Sequence, residues 1–374
     1  MTQLKRLLIA SLLLFSVATA WGQVNVSPPT VSGTQFDDQI NNEILGAVEQ
    51  FEAELSSELE QFFDQPLLAQ GIANSGATAT HIGTQRAFID YRRFALVAGV
   101  GFAASLPDSD PSAIEESVER LEEDGDLYAG AAFLPVIGIG VPLRFLSEDL
   151  YVNFKLSWFE SEGLFDGFEY NSFSIGGLVN YQLLETRSLP LGFLRWRGLS
   201  VGSGVIYQRN ELVYELGFDR VTETVDFGTV DVGAETVNIG TADITMEPTI
   251  TAVVGSNSVV IPLEATTGLR ILWLFDVNIG AGIDLAFGNS EVELELESPV
   301  TLEPDGTLQD LQVTDGSATV TVGTDGDGPD FIRPRLTAGV GLNLGPLKVD
   351  VPLMYYFDSD GNSLMAGVNV GIVW

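Results

Sequence analysis

The 374-residue chain has 52 carboxylates, a single histidine and no cysteine, and these limit its chemistry. A zinc centre needs three or four imidazole, thiolate or carboxylate ligands at fixed spacing. His81 has no second imidazole and no thiolate to join it. A Ser-His-acid hydrolase would need His81 beside a strand-borne serine, and Gly202-Ser203-Gly204 reads as plain strand. The carboxylates form charge fields, not the isolated pair a glycosidase uses. The reading is therefore no enzyme, no catalytic residue and no cofactor, with His81 as a loop or plug residue. One metal candidate is Asp325, Asp327 and Asp330, a calcium set with oxygen ligands. It does not follow the EF-hand order, and with Gly326 and Gly328 an ordinary turn explains it equally well.

A second set of charges sits inside apolar, alternating segments: Arg93, Arg144, Lys155, Glu264, Arg270, Asp284, Lys348 and Asp350. If those segments are strands of a closed barrel, the charges face the lumen and form a network across it. In a small barrel such a network stabilises more often than it conducts.

The elements that would position these charges follow a period of two. Leu364, Ala366, Val368, Val370, Ile372 and Trp374 share one face of the last segment, and Met365, Gly367, Asn369 and Gly371 share the other. Leu347, Val349, Val351, Leu353, Tyr355 and Phe357 repeat the rule, with Lys348, Asp350, Met354 and Asp358 opposite. Eight more segments, beginning near Phe94, Phe133, Leu150, Phe173, Leu199, Val259, Val277 and Leu336, make ten. Each has about the ~10 residues a tilted strand needs to cross lipid. Lipid-facing and lumen-facing residues alternate in membrane barrels, short turns alternate with long outer connections, and bacterial strand counts are even. The fold expected is all-β: an antiparallel transmembrane β-barrel of about ten strands, with twelve or fourteen allowed. A soluble β-sandwich is the competing fold. An even count returns the last strand to the side where the N-terminus starts. Trp158, Trp196, Trp273, Tyr355 and Tyr356 fall near segment ends, where interfacial aromatics belong.

The first residues read as an export signal. Lys5 and Arg6 precede the apolar run Leu7 to Val17, and Ala18-Thr19-Ala20 offers a cleavage site. Residues 1–20 are thus expected to be a signal peptide, 21–91 a helical periplasmic or plug segment, and 92–374 the barrel. Within the second part, Ile40, Ile44, Val48, Phe51, Leu55, Leu59 and Phe62 mark an amphipathic helix over 37–64. Its nine acids suit lumenal pairing with Arg93, Arg144, Lys155 and Arg270.

The net charge of −35 and only three lysines argue against binding of nucleic acid or anionic lipid, both of which need a basic face. Residues 108–126 hold nine acids and 288–331 hold eleven with no base. They read as outer loops, with Glu291, Glu293, Glu295 and Glu297 on a projecting strand.

The run Leu67-Leu68-Ala69-Gln70-Gly71-Ile72-Ala73-Asn74-Ser75, followed by Asp90-Tyr91-Arg92-Arg93-Phe94-Ala95-Leu96, resembles spirochaetal outer-membrane proteins. These include a leptospiral surface-adhesin family and treponemal barrels similar to fatty-acid transporters. Val259-Val260-Ile261-Pro262-Leu263-Glu264 and Gly280-Ala281-Gly282-Ile283-Asp284 extend the likeness over roughly 65–374. The Asn-Pro-Ala hatch motif does not occur. The resemblance implies a bacterial outer-membrane surface protein that binds host matrix or hydrophobic solutes. Passive solute passage is the first expectation for function, and adhesion through the acidic loops is the alternative. The partners expected are membrane lipid, an extracellular ligand and the barrel-assembly machinery, which would read the terminal Trp374 strand.

Overall fold

The computed structural model describes residues 21–32, 41–42, 44–45, 66–84, 86–106, 130–161, 167–189, 193–217, 220–226, 229–232, 235–238, 241–304, 312–326 and 328–374. The expected signal peptide, most of the 37–64 helix and the acidic 108–126 connection lie outside them. The strands in chain order are β1 (Trp21–Ser27), β2 (Thr30–Ser32), β3 (Ala95–Leu106), β4 (Gly130–Pro142), β5 (Leu150–Glu160), β6 (Phe168–Leu184), β7 (Arg187–Ser188), β8 (Leu194–Gly217), β9 (Val221–Asp226), β10 (Thr229–Val232), β11 (Glu235–Asn238), β12 (Thr241–Met246), β13 (Thr249–Ile271), β14 (Phe275–Pro304), β15 (Gln312–Thr314), β16 (Gly316–Gly326), β17 (Ile332–Leu344), β18 (Leu347–Phe357) and β19 (Asn362–Val373). One helix, α1, spans Pro66–Ala79, and a 3-10 turn spans Arg86–Phe88. The chain divides into two compact units.

The first unit draws on residues 65–212, 254–291 and 325–374. In it β3, β4, β5, β6, β8, β13, β14, β17, β18 and β19 form an antiparallel ring of ten strands among the described residues, closed where β14 pairs with β17. The register there runs from Phe275 opposite Leu342 to Leu285 opposite Ile332. The first and last strands meet along β3 and β19, from Ala95 opposite Val373 to Leu106 opposite Asn362. Phe94 and Trp374 exchange both backbone hydrogen bonds at the end of this seam, and their rings stack 6.4 Å apart.

The ring is turned inside out relative to a soluble core. On β19 Leu364, Val368, Val370 and Ile372 are exposed while Ser363, Met365, Asn369 and Gly371 are buried. On β5 Phe154, Leu156 and Trp158 face out, Trp158 being 74% exposed, and Asn153, Lys155 and Ser157 face in. An apolar outer band around a polar interior is the arrangement lipid selects, because the ring pairs all backbone groups and lipid solvates only the apolar faces. No helix among the described residues is long and apolar enough to cross a membrane. Tyr356 differs from the expectation for interfacial aromatics. The pleat that sends Tyr355 outward turns Tyr356 inward, and it is fully buried.

The interior of the ring is filled by α1 and the residues after it. The helix starts at Pro66, whose fixed φ suits a first turn. Ala69, Ala73 and Ala77 recur every four residues, lie on one face and are buried. Small residues allow the helix to touch the wall through its backbone. A side chain at Gly130 on β4 would place its Cβ 2.2 Å from the Gly71 carbonyl oxygen. At its other end the helix tightens: His81 N donates to Thr78 O at 3.1 Å and Ile82 N to Ala79 O at 3.0 Å. Gly83, with φ of +75°, then turns the chain out of helical geometry. Gln70 and Asn74 bond Asp330, beside the β18–β19 connection. Tyr91 bonds Ser200, and Arg144, in the short turn after β4, bonds the Tyr91 carbonyl. The segment therefore enters at the rim of the long connections and leaves at the rim of the short turns. Strand parity fixes where β3 begins but does not constrain a segment that threads the lumen before it.

The second unit draws on residues 1–64, 213–253 and 292–324. Here β1 pairs with β16, β2 with β15, β10 with β11, and β12 with both β9 and the end of β14. Val292, Leu294, Val300, Leu302, Ile244, Ala318 and Val320 are buried, an ordinary apolar core. Two expectations change. Residues 21–91 are not helical from the start, because Trp21 to Ser27 alternates and pairs as a strand. The acidic 288–331 stretch is largely sheet, with Glu291 to Glu297 inside β14.

If the Gly130–Gly71 contact seats the plug, Gly130→Val costs about 1–3 kcal/mol of overpacking. Hydrogen exchange should then rise in residues 66–82, while β18 and β19 stay protected.

Candidate functional site

The sequence expectation was that plug carboxylates would meet basic wall residues. The structure has the opposite polarity at its centre: the plug brings bases and the wall brings carboxylates. Asp284 on β14 and Glu264 on β13 project inward, and Arg335 on β17 bridges them, from Nε to Asp284 Oδ1 at 2.9 Å and from Nη2 to Glu264 Oε2 at 2.8 Å. From the plug, Arg86 Nε donates to Glu264 Oε2 at 3.0 Å, and His81 Nε2 lies 2.7 Å from Asp284 Oδ2. Tyr356 OH donates to the same Asp284 oxygen at 2.9 Å. Two guanidiniums face two carboxylates, so the cluster is neutral. Buried charges are tolerated when paired and hydrogen-bonded in this way.

The partners of His81 fix its tautomer. Arg86 Nη2 lies 3.2 Å from His81 Nδ1, and a guanidinium only donates, so Nδ1 accepts and the proton sits on Nε2, facing Asp284. Burial is the main reason the His81 pKa falls from 6.5 to about 4, and the nearby Arg335 and Arg86 push the same way against Asp284. His81 is neutral at pH 7.

A second anchor lies nearer the long-connection rim. Arg333 forks onto Asp358 at 2.8 and 2.9 Å, and its Nη2 also donates to Thr78 Oγ1 of the helix at 2.7 Å. The Arg333 guanidinium lies 4.5 Å from the centre of the Tyr356 ring. Lys155 on β5 donates to the carbonyls of Thr80 and, at 2.9 Å, of Ile82. These carbonyls lie where a helix end leaves acceptors unmatched, so a buried cation there serves as a cap.

The eight lumen candidates thus separate. Glu264, Asp284 and Lys155 join the plug contacts. Lys348 and Asp350 are buried on β18. Arg270 is partly buried and forks onto Asp276 at 2.9 and 3.1 Å. Arg93 and Arg144 are exposed at the short-turn rim rather than inside, since both precede or follow strands instead of lying on them. The residues missed were Arg86, Arg333, Arg335 and Tyr356. Extending the alternation of β17 back by two steps finds both wall arginines.

Asp330, one of the three calcium candidates, belongs to a hydrogen-bond network at the long-connection rim. Its carboxylate accepts from Gln70 at 2.9 Å, from Asn74 at 3.3 Å and from Ser359 N at 2.8 Å. Asp327 and the Asp325 side chain lie outside the described residues, and among the described residues no cluster of metal-ligating groups occurs. Gly198-Leu199-Ser200-Val201-Gly202 has the spacing of a nucleophile elbow, but it lies within β8 and not at a strand-to-helix turn. Ser200 Oγ accepts from Tyr91, and both nitrogens of His81 are engaged elsewhere.

Removing one partner from this cluster leaves a buried charge. Glu264→Gln should cost about 3–5 kcal/mol, read as the midpoint of urea unfolding of the refolded protein. The imidazole gives a second outcome. The unfolded chain protonates His81 near pH 6.5 and the folded chain near 4, so its contribution is full above pH 6.5 and lost as pH falls towards 4. The loss approaches about 3 kcal/mol, and His81→Gln should flatten the stability profile in that window.

No curated protein sequence matches the chain. Among solved structures it is similar to the translocator domain of autotransporter NalP from Neisseria meningitidis, at 14% identity and TM-score 0.30, over 80% of this chain and 98% of that one. It is also similar to the CymD monoaromatic hydrocarbon channel, at 10% identity and TM-score 0.24, over 82% and 96%. A Pseudomonas aeruginosa FadL homologue aligns at 10% identity and TM-score 0.22, over 83% and 97%. The model of one protein family, described as Lsa36-like, matches residues 22–374, and the chain belongs to the Lsa36-like family.

Proposed function

We propose that this outer-membrane β-barrel surface protein is a closed anchor in the bacterial outer membrane, and that its water-facing β unit is the part that meets an extracellular partner. The observation that carries this is the neutral cluster of Arg86, His81, Glu264, Asp284 and Arg335, which ties the plug to the wall from both sides. A lumen held shut by buried ion pairs suits an anchor better than an open pore. The second unit supplies the adhesive surface: its apolar residues are inside, and the acids of residues 288–331 make its face suited to a basic partner. The family's namesake, a leptospiral surface adhesin, agrees with this reading. No enzymatic step belongs to it. The Trp374 strand, paired along the seam with β3, is the segment offered to the barrel-assembly machinery.

Gated passage is the second reading, and the polarity of the plug favours it. A segment held by hydrogen bonds and ion pairs can be displaced into water, unlike one held by apolar packing.

In planar bilayers the wild-type protein should show no conductance steps, and Glu264→Ala with Asp284→Ala should open them. Steady wild-type steps would sink the anchor reading. On intact cells, added protease should cut within 213–253 or 292–324, and complete protection of both would remove the adhesive role.

A further inference from the structure

The short-turn rim contains a feature of which anchoring uses only Arg86 and adhesion nothing. A cavity of about 680 Å³ opens there, lined by Arg86, Arg92, Arg93, Arg144, Arg195, Arg197 and Arg270. The chain has fourteen arginines in all, so half of them surround one cavity in a protein of net charge −35. Four carboxylates line it too: Asp90, Glu148, Asp149 and Glu185.

Four of the arginines are set in place by the surrounding fold, Arg86 by its pairing with Glu264. Arg197 on β8 donates to Ile89 O at 2.8 Å and Asn278 Oδ1 at 3.3 Å. Arg144 donates to the carbonyls of Tyr91 and Arg92, neutral acceptors that orient the guanidinium without cancelling its charge. Arg270 is held by Asp276. Arg92, Arg93 and Arg195 are exposed around the mouth, and among the described residues they make no ion pair. The rest of the lining is mostly polar, with Gln182, Thr186, Thr266 and Thr267 among its donors.

We infer that this cavity binds a small multivalent oxyanion, one carrying phosphate or clustered carboxylate groups. Guanidinium forks match the geometry of both groups and bind them through paired hydrogen bonds. The acidity of the whole chain does not prevent this. At physiological salt, charges more than about 8 Å away are largely screened, so the lining sets the potential, and in it seven arginines outnumber four carboxylates. The lining combines plug residues 86–93 and inward-facing strand residues such as Thr266, Asn278 and Thr337 with short-turn residues such as Arg144 and Glu148, and its inner part is reached through the lumen, which favours a soluble ion over a lipid headgroup held in the bilayer. Binding at the mouth needs no displacement of the plug, so it stands or falls independently of the anchor reading.

The test is calorimetric titration of the full refolded protein, in uncharged detergent, with inorganic pyrophosphate as probe. Saturable binding is expected, weakening steadily as sodium chloride is raised. Arg93→Glu with Arg195→Glu should weaken it at least tenfold, while Arg209→Glu, which breaks an exposed pair with Glu211, should leave it unchanged. Heat-modifiable gel mobility shows whether each variant is folded. If the double variant does not fold, the salt dependence and competition by citrate on the wild type decide. No pyrophosphate binding by the folded wild type, equal binding by the double variant, or binding confined to phosphatidylglycerol-containing bicelles would each overturn the proposal.

Discussion

The bridge formed by Arg335 between Asp284 and Glu264 is the constraint on which the lumen depends. Without it, two buried carboxylates on neighbouring strands would stand without a wall cation between them. With it, the wall still carries one negative charge in excess, and Arg86 of the plug supplies the missing positive one. His81 adds a hydrogen bond without adding charge, because its two neighbours hold it in one neutral tautomer. The plug is therefore a stoichiometric part of the wall's electrostatics. An empty barrel of this sequence would be an unbalanced one.

The two units respond to two solvents with one backbone pattern. Both alternate, and in both one face is apolar. In the ring the apolar face is exposed and charges are inside. In the other unit Val292, Leu294 and Val300 are inside and the acids alternate with them. Alternation alone does not say which face is inside. The identity of the opposite face decides: Ser, Met, Gly and Asn opposite Leu, Val and Ile in β19, but Glu opposite Val and Leu in β14. The same strand, β14, obeys the first rule near Ile279 and the second near Leu294.

This explains what the sequence could and could not reveal. All ten ring strands and the inward sets of β18 and β19, Tyr356 apart, are legible, because period two is a local property. Arg333 and Arg335 were overlooked because Pro334 stands between them, and a proline argues against a central strand position. The sequence reads 21–91 as a helical periplasmic or plug segment with the acids of 37–64 as pairing groups, whereas the described lumenal segment begins at Pro66 and its helix carries no charge. What places it there is the pairing of His81 with Asp284, 203 residues away, and of Arg86 with Glu264, 178 residues away. Nothing in the neighbourhood of either residue announces its partner. The arginines of the short-turn cavity are likewise scattered between 86 and 270, and only the closure of the ring gathers them.

The path of the plug also decides how the molecule bears a pull. A tether acting on the chain just before Pro66 draws on a segment that crosses the whole lumen before it joins β3. The force meets the Asp330 and Arg333 contacts first, then those of Lys155, His81 and Arg86, and reaches the β3–β19 seam last. The seam itself is then spared peeling, strand edge by strand edge, which is how antiparallel sheets yield most easily. The barrel would hold such a tether as a cleat holds a rope, by successive grips along its length rather than by one knot at its end.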